Sequence, residues 1–285
     1  MNPFKKYIEN YRKALDILNY YKPKTLSDEE KIWLQYLNKH KYFYNNNKFR
    51  FQSQVIDKYG RKKVNVYKDE KTQLYYVIHK NKKLFWPRSM DKNTVINLYR
   101  VLLFEQDPKS PHLYWKENEV VYKNKILFDI GSAEGLISLE HIEDIKHVYL
   151  FECEASWIEA LQETFKPYTK KTTIIEKYVS DLFDSKSKTI TIDEFVKQSG
   201  AIPDLIKMDI EGFEEKALDG AIETLKNYHI NLAVCSYHKP DAEKNITTFF
   251  NKLNYTYEIS EGCIIHDEIP PYFRHGVVRA KSESC

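Results

Sequence analysis

The stretch ILFDIGSAEGLIS, residues 126–138, decides the fold. An apolar run ends in Asp129 and Ile130, glycines follow at 131 and 135, and an amphipathic segment begins there, so a strand hands over to a helix through a glycine turn. Glycine is scarce in this chain. Ordinary usage of roughly 7% would place about 20 in this length, whereas the 285 residues hold 8, seven of them beyond position 130. Two of the eight stand within five positions at this junction, where a backbone turns sharply and a ligand can approach closely. The spacing is not the dinucleotide G-x-G-x-x-G: a single step of four replaces steps of two and three. Asp129 and Glu134 also put carboxylates near the helix N-terminus, where a phosphate would be repelled. A cationic ligand suits such a turn. S-adenosylmethionine, with an amino-acid moiety, a sulfonium and no phosphate, is of that kind.

Reading on towards the C-terminus, strands and helices alternate. HVYLFE is a strand whose tip, Glu152, follows Asp129 by 23 residues, the place where nucleoside-binding α/β folds hold ribose hydroxyls on a carboxylate. Taken singly, Asp129 could be a helix-dipole partner and Glu152 a surface acid; the pair at this spacing favours a nucleoside. SWIEALQETFK is a helix, TTIIEKYV and DLIKMDI are strands, EEKALDGAIETLKN is a helix, INLAVCSYH a strand and AEKNITTFFNKL a helix. Two closing strands near 255–266 and 275–280 make an antiparallel addition. Short repeated βα units mean a parallel sheet covered on both faces, with ligands at the carboxyl ends of the strands. Asp209 and Glu211 of IKMDIEGFE therefore share a crevice with Asp129 and Glu152, where they can orient an acceptor hydroxyl or hold a divalent cation such as magnesium through oxygen. Glu214 reads as a cap of the next helix. His238 in CSYHKPD reaches the same edge and is the side chain best matched to taking a proton near neutral pH.

Towards the N-terminus the composition changes. Residues 1–100 hold 23 Lys+Arg against 9 Asp+Glu, and residues 101–285 hold 21 against 32, so the net +3 conceals a basic and an acidic part. Helices are expected over 3–22 and 26–40, the second opened by a Ser27/Glu30 capping box. FRFQSQVID, KVNVYKD, LYYVIHK and KLFWP read as an antiparallel meander over 49–87, and VINLYRVLLFEQ as a helix ahead of Pro108 and Pro111. Lysines interleaved with tyrosines on these strands could stack nucleic acid, but strand aromatics are more often core, and the core reading is preferred. The expected division is a basic helical and β-meander module, 1–92, before an α/β domain, 93–285. No apolar run is long enough for a membrane span and no signal-peptide core opens the chain, so a cytoplasmic protein is expected. Four cysteines without CxxC spacing are expected to be reduced thiols.

Taken together, DIGSAEG, the FE at the second strand tip, IKMDIEGFE and YHKPD resemble the FkbM-type methyltransferases over about 95–285. The resemblance implies a Rossmann-like class I methyltransferase sheet of seven strands with an antiparallel last pair, and S-adenosylmethionine lying over Gly131 to Gly135 with Glu152 on its ribose. Ser132, Asp181 and Met208 are expected to complete the cofactor's surroundings. FEQDPKSPHLYW, with Glu105, Ser110, His112 and Tyr114, is similar to a segment that precedes the first motif in some members. Glu105, His112, Tyr114 and Lys207 are the expected substrate contacts. The family habit implies O-methylation of a sugar or natural-product hydroxyl, with His238 as base and Asp209 and Glu211 positioning the acceptor. A basic module beside an acidic crevice points to an anionic small-molecule acceptor, such as a nucleotide-sugar of surface-glycan assembly. Nucleic acid is not the expected partner. A nicotinamide oxidoreductase lacks its third glycine, and a base-amine methylase lacks an NPPY-like element after the fourth strand. An RNA-binding protein on a degenerate methyltransferase core is disfavoured by intact Asp129, Gly131, Glu152 and Asp209.

Overall fold

The computed structural model describes residues 3–41, 58–60, 62–184, 186, 188–266 and 268–282; the strand expected over FRFQSQVID, 49–57, lies outside them. Helices α1 (Pro3–Tyr21) and α2 (Asp28–His40) are followed by strands β1 (Val66–Lys68), β2 (Tyr75–His79) and β3 (Lys82–Phe85) and by helix α3 (Lys92–Glu105). The alternating part runs β4 (Ile126–Ile130), α4 (Leu136–His141), β5 (His147–Phe151), α5 (Ala155–Phe165), β6 (Thr172–Ile175), β7 (Tyr178–Val179), β8 (Thr189–Ile190) and α6 (Ile192–Ser199). It continues with β9 (Leu205–Met208), α7 (Glu214–Asp219), α8 (Ile222–Asn227), β10 (Asn231–Cys235), α9 (Ala242–Lys252) and β11 (Tyr255–Ile259). A small hairpin, β12 (Ile264–Ile265) and β13 (Phe273–Arg274), precedes the last strand, β14 (Val277–Ser282).

Seven strands form the central sheet in the order β11-β14-β10-β9-β4-β5-β6. The run from β10 to β6 is parallel, while β14 is antiparallel to both β10 and β11. Helix α9 returns the chain so that β11 runs with β10, and β14 enters the slot between them from the opposite direction. The interior place of β14 agrees with its four buried leading residues. From β4 the chain builds outward through β5 and β6, then crosses back to β9 and β10 on the other side. The carboxyl ends of β4 and β9 are thus the switch point at which open α/β sheets bind ligands.

Alternation divides the core between the two faces of the sheet. Leu127, Leu150, Leu205 and Ala233 join one buried cluster, and Phe128, Ile130, Ile206, Met208, Leu232 and Val234 join the other. Helix α6 is not among the expected elements, although Ile192, Phe195 and Val196 stand at i, i+3 and i+4 behind the Thr191 cap; it is only eight residues long. The expected helix 214–227 is broken at Gly220 into α7 and α8, and a Cβ there would stand 2.2 Å from the Ser180 carbonyl oxygen.

The N-terminal elements are built into this core at two places. Helices α1 and α2, the latter opened by the Ser27/Glu30 capping box, pack on the β12–β13 hairpin, with Tyr21 stacked on Phe273 at 4.4 Å. Packing also runs across the boundary expected at 92/93: Val77, Leu84 and Trp86 share one cluster with Val95, Leu127 and Leu150. The other face of the meander sets Leu74 and Phe85 on Ala160 of α5. Among the described residues Cys153, Cys235 and Cys263 are free thiols, and no helix is long and apolar enough to cross a membrane.

Candidate active site

The glycine turn after β4 is fixed by its neighbours. Gly131 has φ +75°, and a Cβ on it would sit 1.9 Å from the Asp209 carbonyl oxygen. Gly135, also at φ +75°, caps α4, and a Cβ on it would sit 2.7 Å from the Phe165 ring. Both are demanded by close packing as well as by handedness. The Gly131 and Ser132 amides donate to the Phe151 carbonyl at 2.9 and 3.1 Å, and Ser132 Oγ turns inward to the Asp129 carbonyl at 2.7 Å. Beneath the turn, Asp129 accepts from Ser138 Oγ at 2.6 Å and pairs with Lys207 Nζ at 3.1 Å. Lys207 also donates to the Gly131 carbonyl at 2.6 Å. The structure thus gives Lys207, expected among the substrate contacts, the work of holding the turn. Glu105, Tyr114 and Glu134 surround the same pair in a small polar chamber. Burial pushes the Glu134 carboxyl up to about 7.

On the other side of the turn lies a cleft of about 580 Å³, lined among others by Gly131, Ala133, Glu152, Val179, Ser180 and Asp209. Glu152 is oriented by backbone: Oε2 accepts from the Ala133 amide and Oε1 from the Cys153 and Glu154 amides, each at 2.8 Å. A carboxylate offers about four lone-pair sites. Three are used here, and the one left on Oε2 can take a ribose hydroxyl. The residues therefore fit the nucleoside end of S-adenosylmethionine, with one open acceptor site on Glu152. Asp181 is exposed and accepts from Ser180 Oγ at 2.8 Å, so Ser180 and Val179 form the wall beside it. Met208 points into the core and is fully buried.

The third group gathers around Asp209 at the end of β9. Tyr114 donates to its Oδ2 at 2.8 Å and His112 Nε2 lies 3.5 Å from the same oxygen, so the segment before β4 supports this acid. Burial opposes the Asp209 charge, yet His112, Lys207 and His238 hold the carboxyl well below the usual range. His238 Nδ1 lies 2.8 Å from Glu214 Oε1; a carboxylate only accepts, so Nδ1 carries the proton. Its Nε2 is buried without a hydrogen-bond partner, 3.5 Å from Asp209 Oδ1 and 3.4 Å from Glu211 Oε2. Burial works against the imidazolium, but the Glu214 bond and the charges of Asp209, Glu214 and Glu211 raise its pKa above the ordinary histidine value. Glu211 is held at φ +53°, a strained conformation for this residue, with its side chain 89% exposed.

The methyltransferase FkbM domain model matches residues 85–259, more than half of the chain. The chain belongs to the FkbM methyltransferase family. No curated protein matches it. Among solved structures, the FkbM methyltransferase of Methylobacillus flagellatus is similar at 16% identity and TM-score 0.47, over 68% of this chain and 56% of that one. The precorrin-6y C5,15-methyltransferase of Geobacter metallireducens is similar at 14% identity and TM-score 0.40, over 57% and 81% of the two chains. An rRNA methylase of Streptococcus thermophilus gives 11% identity and TM-score 0.41, over 57% and 90%. This FkbM-family chain thus spans 56% of the length of its solved namesake.

Two residues stand in this group in ways the sequence reading did not expect. Glu214 was expected only as a cap; its Oε1 accepts from the Ile210 and Gly212 amides at 3.0 and 3.3 Å and from His238 as well. Arg274 donates to the Tyr237 and His238 carbonyls at 2.8 and 3.2 Å, fixing the backbone that carries the histidine. The signal for Glu214 was its place five residues after Asp209 in a glycine-bent turn. Arg274 lies 36 residues from His238, with no local signal.

Proposed function

We propose that this protein is an S-adenosylmethionine-dependent O-methyltransferase acting on a hydroxyl of a sugar carried on a phosphate-bearing small molecule, such as a nucleotide-sugar or related surface-glycan intermediate. The observation that carries the reading is the Glu214–His238 pair, with Nε2 open between Asp209 and Glu211, at the strand ends that also present Gly131 and Glu152. S-adenosylmethionine, when bound, supplies a methyl group on a positive sulfur, so that a hydroxyl oxygen can displace it, the C–S bond breaking as the C–O bond forms. The chain's own task is then to align the oxygen and to take its proton. Glu214 fixes the tautomer in which His238 Nε2 accepts. The imidazolium that forms is flanked by Asp209, Glu211 and Glu214, which favours it over the neutral ring. Asp209, kept ionised by its surroundings, is a fixed acceptor that helps orient the incoming hydroxyl.

The residues fit a magnesium-type ion poorly. Asp209, Glu214 and His238 converge within 4.8 Å, as do His112, Asp209 and Cys235, and each set includes a nitrogen or sulfur donor. Magnesium prefers oxygen donors and its own waters. No step is assigned to a metal.

The test is a screen of nucleotide-sugars and phosphorylated metabolites for methyl transfer, with the methylated atom located by mass spectrometry. Expected are an oxygen-linked methyl, full activity in EDTA, and a loss on the order of 10²–10⁴-fold in His238→Ala. A methyl on nitrogen or carbon, or an unaffected His238→Ala rate, would contradict the reading.

A further inference from the structure

The outer face of the β1–β3 meander carries a feature that the reaction does not use. Register sets Tyr67 opposite Tyr76 and Tyr76 opposite Phe85, so the three rings share one face. They form a ladder: Tyr67 and Tyr76 have centroids 5.4 Å apart at 24°, and Tyr76 and Phe85 are 5.2 Å apart. Its inner end is sealed, because Phe85 is buried with Leu74 against Ala160. Its outer end is open. Tyr67 is 45% exposed, and Ile78, on the same face, 46%. Core packing explains Phe85 and leaves Tyr67 without a role.

Charge around the ladder is one-sided. From Lys62 to Arg88 there are eight lysines and arginines against two acids. Seven of these eight are exposed. Lys83 lies 4.5 Å from the Tyr76 ring centroid and 3.5 Å from Asp69. Lys80 pairs with Glu140 and Arg88 with Glu159, and Lys68, next to Tyr67 in β1, stands on the opposite face beside Tyr75; among the described residues no carboxylate lies within ion-pair distance of Lys63 or Lys71. A flat ring left open at the end of an aromatic stack lets a base continue the stack, and lysines around it meet the phosphates that follow. We propose that the meander face binds single-stranded nucleic acid, a property independent of the reaction above. A duplex keeps its base faces covered and could use only the lysines. An anionic glycan lacks the π-face that would extend the ladder.

The experiment is fluorescence anisotropy of the full chain with a labelled 12-residue oligo(U), across a salt series, with thermal melts confirming that each variant folds. Expected is binding that weakens linearly in log salt, a loss on the order of tenfold in Tyr67→Ala, and in Lys71→Glu/Lys83→Glu a salt slope shallower by roughly one to two. Absence of oligo(U) binding, equal affinity for a blunt duplex, tighter binding of a phosphomannan oligosaccharide, or wild-type affinity in folded Tyr67→Ala would each overturn the proposal.

Discussion

His238 sits among three carboxylates, and that placement fixes the sign of its pH dependence. With its pKa raised, the imidazolium persists as pH passes the ordinary histidine value, and the neutral ring that can accept a proton grows only above the raised one. Methyl transfer should therefore climb with pH on this limb. The stability the ring contributes runs the other way: it is fully present below the unfolded-state pKa and is lost as pH rises through the folded-state pKa. Glu214→Gln removes the leading raising contact and should move the midpoint down. Titration of the His238 ring by NMR checks this without any acceptor; a wild-type midpoint at or below about 6.5 would contradict it. Asp209, Glu152 and His238 were legible in the sequence because strand tips in a parallel sheet converge. The pairing of Lys207 with Asp129 was not legible, because only register makes the two strand neighbours.

At the scale of elements, α5 links the cleft to the N-terminal meander. Trp157 lines the cleft and meets Trp86 with centroids 6.0 Å apart, Arg88 pairs with Glu159, and Thr164 Oγ1 accepts from the Phe85 amide at 3.0 Å. Thr164→Val keeps the shape and leaves that buried amide without a partner. A loss of about 1–3 kcal/mol is expected in urea denaturation; a change under about 0.5 kcal/mol would show that the contact is replaceable. The strands and most helices were readable from period and turn chemistry. Helix α6 was passed over because its Ile192, Phe195 and Val196 stripe spans little more than one turn, and the slot for β14 was not legible, because pairing order is set by crossover direction.

Across the whole molecule, the charge division noted in the sequence becomes a division of surfaces. Lysines of the meander, Lys83 among them, lie beside an open aromatic ladder, while Asp129, Glu134, Glu152, Asp209, Glu211 and Glu214 stand at or just beyond the carboxyl ends of β4, β5 and β9. The strand order places those ends at the switch point, and the glycine turn, Glu152 and the Glu214–His238 pair meet there. We propose that this crevice holds the methyl donor, with Glu152 on its ribose. Isothermal calorimetry with S-adenosylhomocysteine tests it most directly. Expected are binding by the wild-type chain, at least about tenfold weaker binding, or about 1.4 kcal/mol, by Glu152→Ala, and nearly unchanged binding by His238→Ala. No binding by the wild type, or wild-type affinity in Glu152→Ala, would contradict it.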